Sequence, residues 1–255
     1  MSYQDYSCQI CSQQEIAPNI IACCLENAHL AKNAKPGQFL HIQCGDPASM
    51  PLRRPISICD VNGDELTIIY EVKGRGTKAL REQTGKVQVL GPLGNGFLVD
   101  NSLYKRPAVI GGGIGTYPLY LLTKQLTNAS VYLGFRNQSV VTLEQEFCQV
   151  AEKVTITTDD GSYGVSGFAI TQLEEDHKKE VFDIVYACGP KPMLRAVQAF
   201  AEKTGVPCQL SLEERMGCGI GACLTCNCET HEEGSAHYKH VCKNGPVFWS
   251  QEVVL

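Results

Sequence analysis

The sequence predicts an α+β multidomain chain of three parts: a small antiparallel β-barrel, a parallel doubly wound α/β unit and a short cysteine-rich unit. Three observations predict it. Short strand-like runs broken by turn residues recur at regular spacing through residues 1–100. From Arg106 onward, strand-like and helix-like runs alternate. Near the end, Cys218, Cys223 and Cys226 stand in a C-x4-C-x2-C arrangement with Cys242 downstream.

The expected barrel strands are residues 6–13, 20–26, 38–43, 56–59, 65–72 and 86–90, with one helix-like insert at 78–83. Within this part Arg53-Arg54-Pro55-Ile56-Ser57 stands out. Arg54 and Ser57, three apart around Pro55, can set a guanidinium on a diphosphate and a hydroxyl or amide at a flavin edge. Gly74-Arg75-Gly76-Thr77 opens a helix, so its amides can meet the same pyrophosphate. The alternative is a surface arginine pair beside an ordinary hairpin.

In the α/β part, Val109-Ile110 runs into Gly111-Gly112-Gly113-Ile114-Gly115 and then a helix-like run at 118–126. Strands at 130–134, 154–158, 182–187 and 208–212 and helices at 143–151, 167–175 and 191–204 follow. A glycine turn at a helix start leaves amides and the positive dipole end open to a pyrophosphate. This one departs from G-x-G-x-x-G, and Gly134-Phe135-Arg136 stand where an acidic residue is expected. A tight strand-helix turn without a ligand is the alternative. Cys188-Gly189-Pro190 ends a later strand of the same sheet, and ligands bind outside the carboxyl ends of parallel strands. Two glycine-bearing strand ends therefore outline a dinucleotide crevice. Cys188 is the thiol expected near its reactive end, against the alternative of a buried strand-end cysteine.

The spacing of Cys218, Cys223, Cys226 and Cys242 is that of a plant-type [2Fe-2S] cluster, whose two irons need four thiolates. Gly217, Gly219 and Gly221 let the backbone wrap tightly with amides free to face sulfides. Zinc, which favours paired C-x2-C knuckles, and disulfide pairing are the competing readings. Cys228 reads as a bystander thiol. The remaining cysteines, including Cys8, Cys11, Cys23, Cys24, Cys44, Cys59 and Cys148, are expected as small buried hydrophobes. Cys8 and Cys11 are nominally C-x2-C but lack a second half. Fourteen cysteines behind a start without a signal peptide point to a reducing, cytoplasmic setting. A net charge of −5 without a basic run argues against nucleic acid, and no apolar run approaches a membrane span.

The order of Arg-Pro-Ile-Ser, Gly-x-Gly-Thr, Gly-Pro-Leu-Gly-Asn-Gly-Phe (residues 91–97), Gly-Gly-Gly-Ile-Gly, Cys-Gly-Pro and a terminal cysteine loop resembles the ferredoxin-reductase superfamily. Glu-Arg-Met-Gly-Cys-Gly-Ile-Gly-Ala-Cys, with Val241-Cys242-Lys243-Asn244-Gly245-Pro246-Val247-Phe248, is similar to the electron-transfer subunits of NAD-linked, type B dihydroorotate dehydrogenases. That resemblance implies FAD, one [2Fe-2S] cluster and NAD as co-substrate. It implies an FMN-containing catalytic partner subunit in a heterotetramer of two copies each, acting in pyrimidine biosynthesis, with no orotate chemistry on this chain. FAD contacts then fall on Arg54, Pro55, Ile56, Ser57, Ile69, Tyr70, Glu71, Gly76 and Thr77, and the cluster ligands on Cys218, Cys223, Cys226 and Cys242. The nicotinamide nucleotide falls on Gly111, Gly112, Gly113, Gly115, Cys188, Gly189 and Pro190. The expected division is an FAD-binding barrel at 1–101, an NAD-binding unit at 102–209 and a cluster unit at 210–255. Two positions depart from the family pattern: Glu71 replaces an arginine, and Thr116-Tyr117 replace an apolar residue and proline. A differently partnered NAD(P)H reductase of the ferredoxin- or hydrogenase-linked kind remains the alternative. The apolar tail at 245–249, with the chain's only Trp at 249, reads either as a docking face or as a cap on the core.

Overall fold

The structure, a computed structural model, describes residues 4–231 and 237–255. Six strands close the N-terminal barrel: β1 (Asp5–Ala17), β2 (Ile20–Glu26), β3 (Phe39–Ile42), β4 (Arg54–Asn62), β5 (Glu65–Glu71) and β6 (Lys86–Leu93). Their order is β1-β2-β5-β4-β3-β6, and every pairing is antiparallel. Alternation fills the lumen: Cys8, Cys23, Leu25, Leu40, Ile42, Ile58, Leu66, Ile68 and Val89 are buried inside. Two helices accompany the barrel where the sequence pattern led to one. Besides α2 (Arg75–Glu82) there is α1 (Ala28–Asn33), started by the Asn27 side chain, which accepts from the Leu30 amide at 3.0 Å. Leu30 and Ala31 pack into the barrel core, which holds this six-residue helix where propensity alone would not.

The second sheet contains β7 (Pro107–Gly112), β8 (Ser130–Phe135), β9 (Lys153–Thr158), β10 (Val165–Ser166), β11 (Ile184–Cys188), β12 (Cys208–Ser211) and β15 (Val247–Trp249), in the order β10-β9-β8-β7-β11-β12-β15. All pairings are parallel except β12 with β15. The helices are α3 (Tyr117–Thr123), α4 (Glu144–Val150), α5 (Ala169–Lys179) and α6 (Lys191–Thr204). Ile110 and Tyr132 face Leu173, Leu194 and Val197 on one side, while Val109 and Val131 face Leu119, Leu122 and Phe147 on the other. That is the doubly wound arrangement.

Strand pairing carries this sheet across the division expected at residue 209. After β12 the chain leaves for the cysteine region, which includes the hairpin β13 (Asn227–Glu229) and β14 (Tyr238–His240) and the short α7 (Val241–Asn244), and then returns as β15. Val247 and Phe248 are 4% and 2% exposed and fill opposite sheet faces, with Trp249 half-buried. An edge strand closing two cores needs apolar residues, so the tail is chiefly a core cap. The segment at residues 91–97 anchors this return. Asn95 Nδ2 donates to the carbonyls of Val247 (2.7 Å) and Asn244 (3.1 Å), and Asn95 Oδ1 accepts from the Val247 amide (3.2 Å). Among the described residues, no helix is long and apolar enough to cross a membrane.

Candidate cofactor sites

The cysteine loop is ordered by its own backbone amides. Ile220 and Ala222 donate to Cys218 Sγ at 3.5 and 3.2 Å, Cys218 to Cys223 Sγ at 3.4 Å, Gly221 to Cys242 Sγ at 3.1 Å, and Cys242 to Cys226 Sγ at 3.5 Å. Each of the four thiols thus receives at least one N–H, the environment that stabilises thiolate charge at a cluster. The Cys228 thiol instead donates to the Lys239 carbonyl at 3.5 Å inside the β13–β14 hairpin. Gly219 (φ +73°) and Gly221 (φ +80°) occupy the left-handed region, and a Cβ on Gly219 would lie 2.5 Å from His41 Nδ1. The Thr225 hydroxyl, with two backbone amides, pulls the Cys223 thiol down to about 6, whereas burial, with Cys226 alongside, pushes Cys242 up to about 12. Thiolate charge at buried Cys242 therefore calls for a cation beside it. The donor set of four sulfurs and converging amides fits a two-iron cluster.

On the barrel, Arg54 begins β4 and its guanidinium lies over the start of α2. A Cβ on Gly76 would sit 2.6 Å from Arg54 Nε, so only glycine lets helix and arginine approach this closely. A guanidinium and a helix N-terminus side by side suit a diphosphate. Arg54 Nη1 is steadied by the Leu52 carbonyl at 2.6 Å. Ser57 is half-buried on the outer face while Ile56 packs inside. The Tyr70 side chain also points into the barrel, where its hydroxyl donates to Gln13 Oε1 at 2.7 Å, so only its backbone is available at the β5 edge. Thr77 Oγ1 accepts from the amides of Lys73 (3.0 Å) and Gly74 (3.3 Å), which fixes the helix entrance. Glu71, where the family pattern has arginine, pairs with Lys73 at 2.7 Å.

The two glycine-bearing strand ends meet. β7 and β11 are neighbours, with Gly111 opposite Cys188. A Cβ on Gly112 would lie 2.9 Å from Pro190 Cδ, and one on Gly115 would lie 2.5 Å from the Cys188 carbonyl oxygen and 2.6 Å from Gly189 Cα. Gly111, Gly112, Gly115 and Gly189 are therefore small because protein packs on protein; Gly113 (φ +54°) alone of the five faces open space. The tight-turn reading accounts for four glycines and the crevice is what their packing creates. Gly115→Ala is expected to cost roughly 1–3 kcal/mol, because the clash is with backbone that cannot rotate away; a thermal melt measures it. Burial raises the Cys188 thiol to about 12, so it is protonated at neutral pH.

Sequence reasoning missed two residues that join these sites. His41 on β3 is opposite Pro55 in the barrel register, 1% exposed, and against Gly219 of the cysteine loop. Among the described residues neither ring nitrogen makes a hydrogen bond of normal geometry, and burial, followed by the Arg53 guanidinium, lowers it to about 4, so it is a neutral wedge between barrel strand and cysteine loop. Tyr117 is 2% exposed and packs with Ile20, Cys59 and Ile69 of the barrel while its hydroxyl meets Thr142 Oγ1 at 3.2 Å. The signals were a lone histidine in Phe39-Leu40-His41-Ile42 and a tyrosine where a turn proline was expected.

Comparison with known proteins then decides the family. Residues 213–254 match the iron-sulfur cluster binding domain of dihydroorotate dehydrogenase B. The electron transfer subunit of dihydroorotate dehydrogenase B (NAD(+)) from Bacillus cereus (strain Q1) is 44% identical, over 96% of this chain and 97% of that protein. The chain belongs to this family of electron transfer subunits. The counterpart from Bacillus anthracis (strain CDC 684 / NRRL 3495) is similar to the same degree, at 44% over 96% of this chain and 97% of its own length. Among solved structures, an NADH-dependent reduced ferredoxin-NADP oxidoreductase superposes with a TM-score of 0.83 at 26% identity, covering 97% of this chain and 89% of that one. Phthalate dioxygenase reductase shares the fold, with a TM-score of 0.64 at 17% identity over 89% and 87% of the two chains. For a dihydroorotate dehydrogenase B electron transfer subunit, the amide-lined thiols at 218, 223, 226 and 242 lie wholly inside the matched iron-sulfur domain.

Proposed function

We propose that this chain passes electrons between the FMN of a dihydroorotate dehydrogenase catalytic subunit and NAD+, in de novo pyrimidine synthesis. The single observation that carries the site assignment is the cysteine loop, in which each of four thiols accepts a backbone amide and which rests on His41 of the flavin-type barrel. Bound here, FAD would exchange hydride with the nicotinamide and single electrons with the cluster, because NAD accepts only hydride and iron-sulfur centres carry one electron at a time. Cys218, Cys223, Cys226 and Cys242 hold the cluster. Arg54 and the amides of Gly76 and Thr77 hold the diphosphate, while the backbone of residues 55–57 and 69–71 lines the flavin. Gly111–Gly113, Gly115 and Cys188-Gly189-Pro190 form the nicotinamide crevice at the sheet's carboxyl end. His41 keeps water out between barrel and loop, which supports a short electron path.

Fourteen cysteines, four of them assigned to the cluster and none paired as a disulfide among the described residues, support a reducing cytoplasmic setting. A heterotetramer with two FMN subunits is the expected assembly. Relatives named for dihydroorotate dehydrogenase B at 44% identity favour this partner over the ferredoxin-linked alternative, represented by a structure at 26%. The partner's docking face falls on the cluster loop, since Val247 and Phe248 are committed to the core. Leu224, 62% exposed and held at φ +60°, projects beside exposed Cys223. Leu224→Asp is expected to weaken assembly tenfold or more, read by titrating the FMN subunit, with NADH oxidation by an artificial acceptor unchanged. The loaded chain alone should reduce artificial acceptors from NADH without turning over dihydroorotate, and adding the FMN subunit should restore NAD-linked turnover. Dihydroorotate oxidation by this chain alone would refute the division of labour.

A further inference from the structure

The outer face of the barrel carries a group of ligating side chains that the electron path does not use. Cys11 on β1, Cys24 on β2 and Glu65 at the start of β5 place two sulfurs and a carboxylate oxygen within 4.8 Å of one another. Strand register brings them together. β2 pairs with β1 through Ser12↔Cys24 and Gln13↔Cys23, and with β5 through Cys24↔Thr67 and Glu26↔Glu65. Alternation sends Cys23 into the barrel and Cys24 outward, next to Glu65, which lies two positions from Thr67 on the same face.

Cys11 owes its position to a bulge. The β1–β2 ladder is interrupted between Ile10 and Ser12, so Cys11 is the extra residue. Ile10 packs against the barrel core and Gln13 reaches inward to the Tyr70 hydroxyl, leaving two consecutive residues, Cys11 and Ser12, exposed on the outer face. Strict alternation would have put only one of them there. This corrects the expectation that Cys11 and Cys24 are buried hydrophobes, since Cys11 is exposed and Cys24 half-buried on the outer face; Cys148 is exposed as well, but stands outside this group.

We propose that Cys11, Cys24 and Glu65 form a binding site for a thiophilic divalent cation of the zinc class, with solvent at the fourth position. Two thiolates and a carboxylate are a donor set that zinc takes and that calcium or magnesium, which prefer oxygen, do not. Tetrahedral zinc with sulfur at about 2.3 Å sets its ligand atoms roughly 3.5–3.8 Å apart, within the span seen here. Two ionised sulfurs and a carboxylate held this close repel one another, and a cation among them would offset that charge. Exposure of Cys11 and Glu65 leaves the position open to water and to entry. The bound ion would clip three consecutive barrel strands together without touching the four cluster thiols.

The test uses the protein loaded with cluster and FAD. It is incubated with one equivalent of Zn(II), desalted and analysed for zinc and iron by mass spectrometry. The expected result is one zinc per chain above the iron background, lost at least tenfold in the Cys11→Ser/Cys24→Ser double variant with iron unchanged, and kept in Cys148→Ser. Glu65→Gln should reduce retention, and Zn(II) should raise the thermal midpoint of the wild type but not of the double variant. Retention of zinc by the double variant would place the ion elsewhere and overturn the site. So would failure of the reduced wild type to retain zinc, or isolation of the chain with Cys11 and Cys24 joined in a disulfide, read as a mass two units lower. None of these outcomes bears on dihydroorotate turnover, so the site stands or falls apart from the proposed function.

Discussion

Cys218→Ser, Cys223→Ser, Cys226→Ser and Cys242→Ser are each expected to purify with little or no cluster, while Cys228→Ser retains iron and acid-labile sulfide at wild-type levels. Cluster loss is the largest effect a single substitution should have on this chain. Two irons need four thiolates, and each of these four sulfurs accepts at least one backbone amide within the loop. Serine is nearly isosteric with cysteine but offers a hydroxyl of much higher pKa and a harder oxygen, which iron-sulfur assembly tolerates poorly. Cys228 sits in the same region and is buried like Cys226 and Cys242, yet its thiol is turned to the Lys239 carbonyl across the hairpin. Since binding free energy at such a site is also folding free energy, the four variants should expose residues 213–246 to proteolysis faster than Cys228→Ser does. Iron and sulfide assays with the visible spectrum read the first effect, and limited digestion the second. Retention of the cluster by Cys242→Ser together with its loss in Cys228→Ser would exchange the fourth ligand.

Much of this arrangement was legible because local rules and the global fold agree. Period-two strands such as Ile21, Cys23 and Leu25 announced the barrel, and the run from Val109 to Gly115 announced a parallel strand entering a turn. The misses have physical causes. α1 has six residues, too few for a periodic signal; it depends on the Asn27 cap and on Leu30 reaching the barrel core. β15 is three residues long and is a strand only because β12 presents an unpaired edge, a fact about residue 210 that a reader of residue 248 cannot see. The tail's aromatics were compatible with an interface or a core, and only the sheet order separates them. His41 escaped notice for the same reason: nothing in Leu40-His41-Ile42 says that a loop 178 residues later, at Gly219, will close over it. The glycine turn carried two meanings at once. Its glycines suggest a nucleotide brought close, and four of the five near positions are also small because Met193, Pro190, Thr116 and the Cys188 carbonyl occupy the space beside them, which sequence alone does not reveal.

Arg54→Ala is expected to weaken FAD retention by one to two decades, the loss of a charge-assisted contact worth roughly 1.5–3 kcal/mol. The geometry makes the effect specific. Arg54 is fixed at its base by β4 and at its head by the Leu52 carbonyl, and it lies over Gly76 where α2 begins, so its charge and the helix amides converge on one point. Arg54→Lys keeps the charge but not the planar fork, and should fall between wild type and alanine. Gly76→Ala provides an independent arm. It leaves the arginine in place but puts a methyl group 2.6 Å from Arg54 Nε, so the guanidinium must swing away and FAD should weaken by a comparable amount. Flavin content after extensive dialysis, with fluorescence titration of the stripped protein, measures all three variants. Iron content serves as the control, because Arg54 makes no hydrogen bond to the cysteine loop among the described residues and its removal should leave the cluster unchanged. If Arg54→Ala and Gly76→Ala both keep full flavin, the diphosphate lies elsewhere on the barrel. If Gly76→Ala alone loses it, the helix amides carry the binding and the arginine is incidental. Loss in both, graded through lysine, is the pattern that a guanidinium and a helix start acting on one diphosphate must produce.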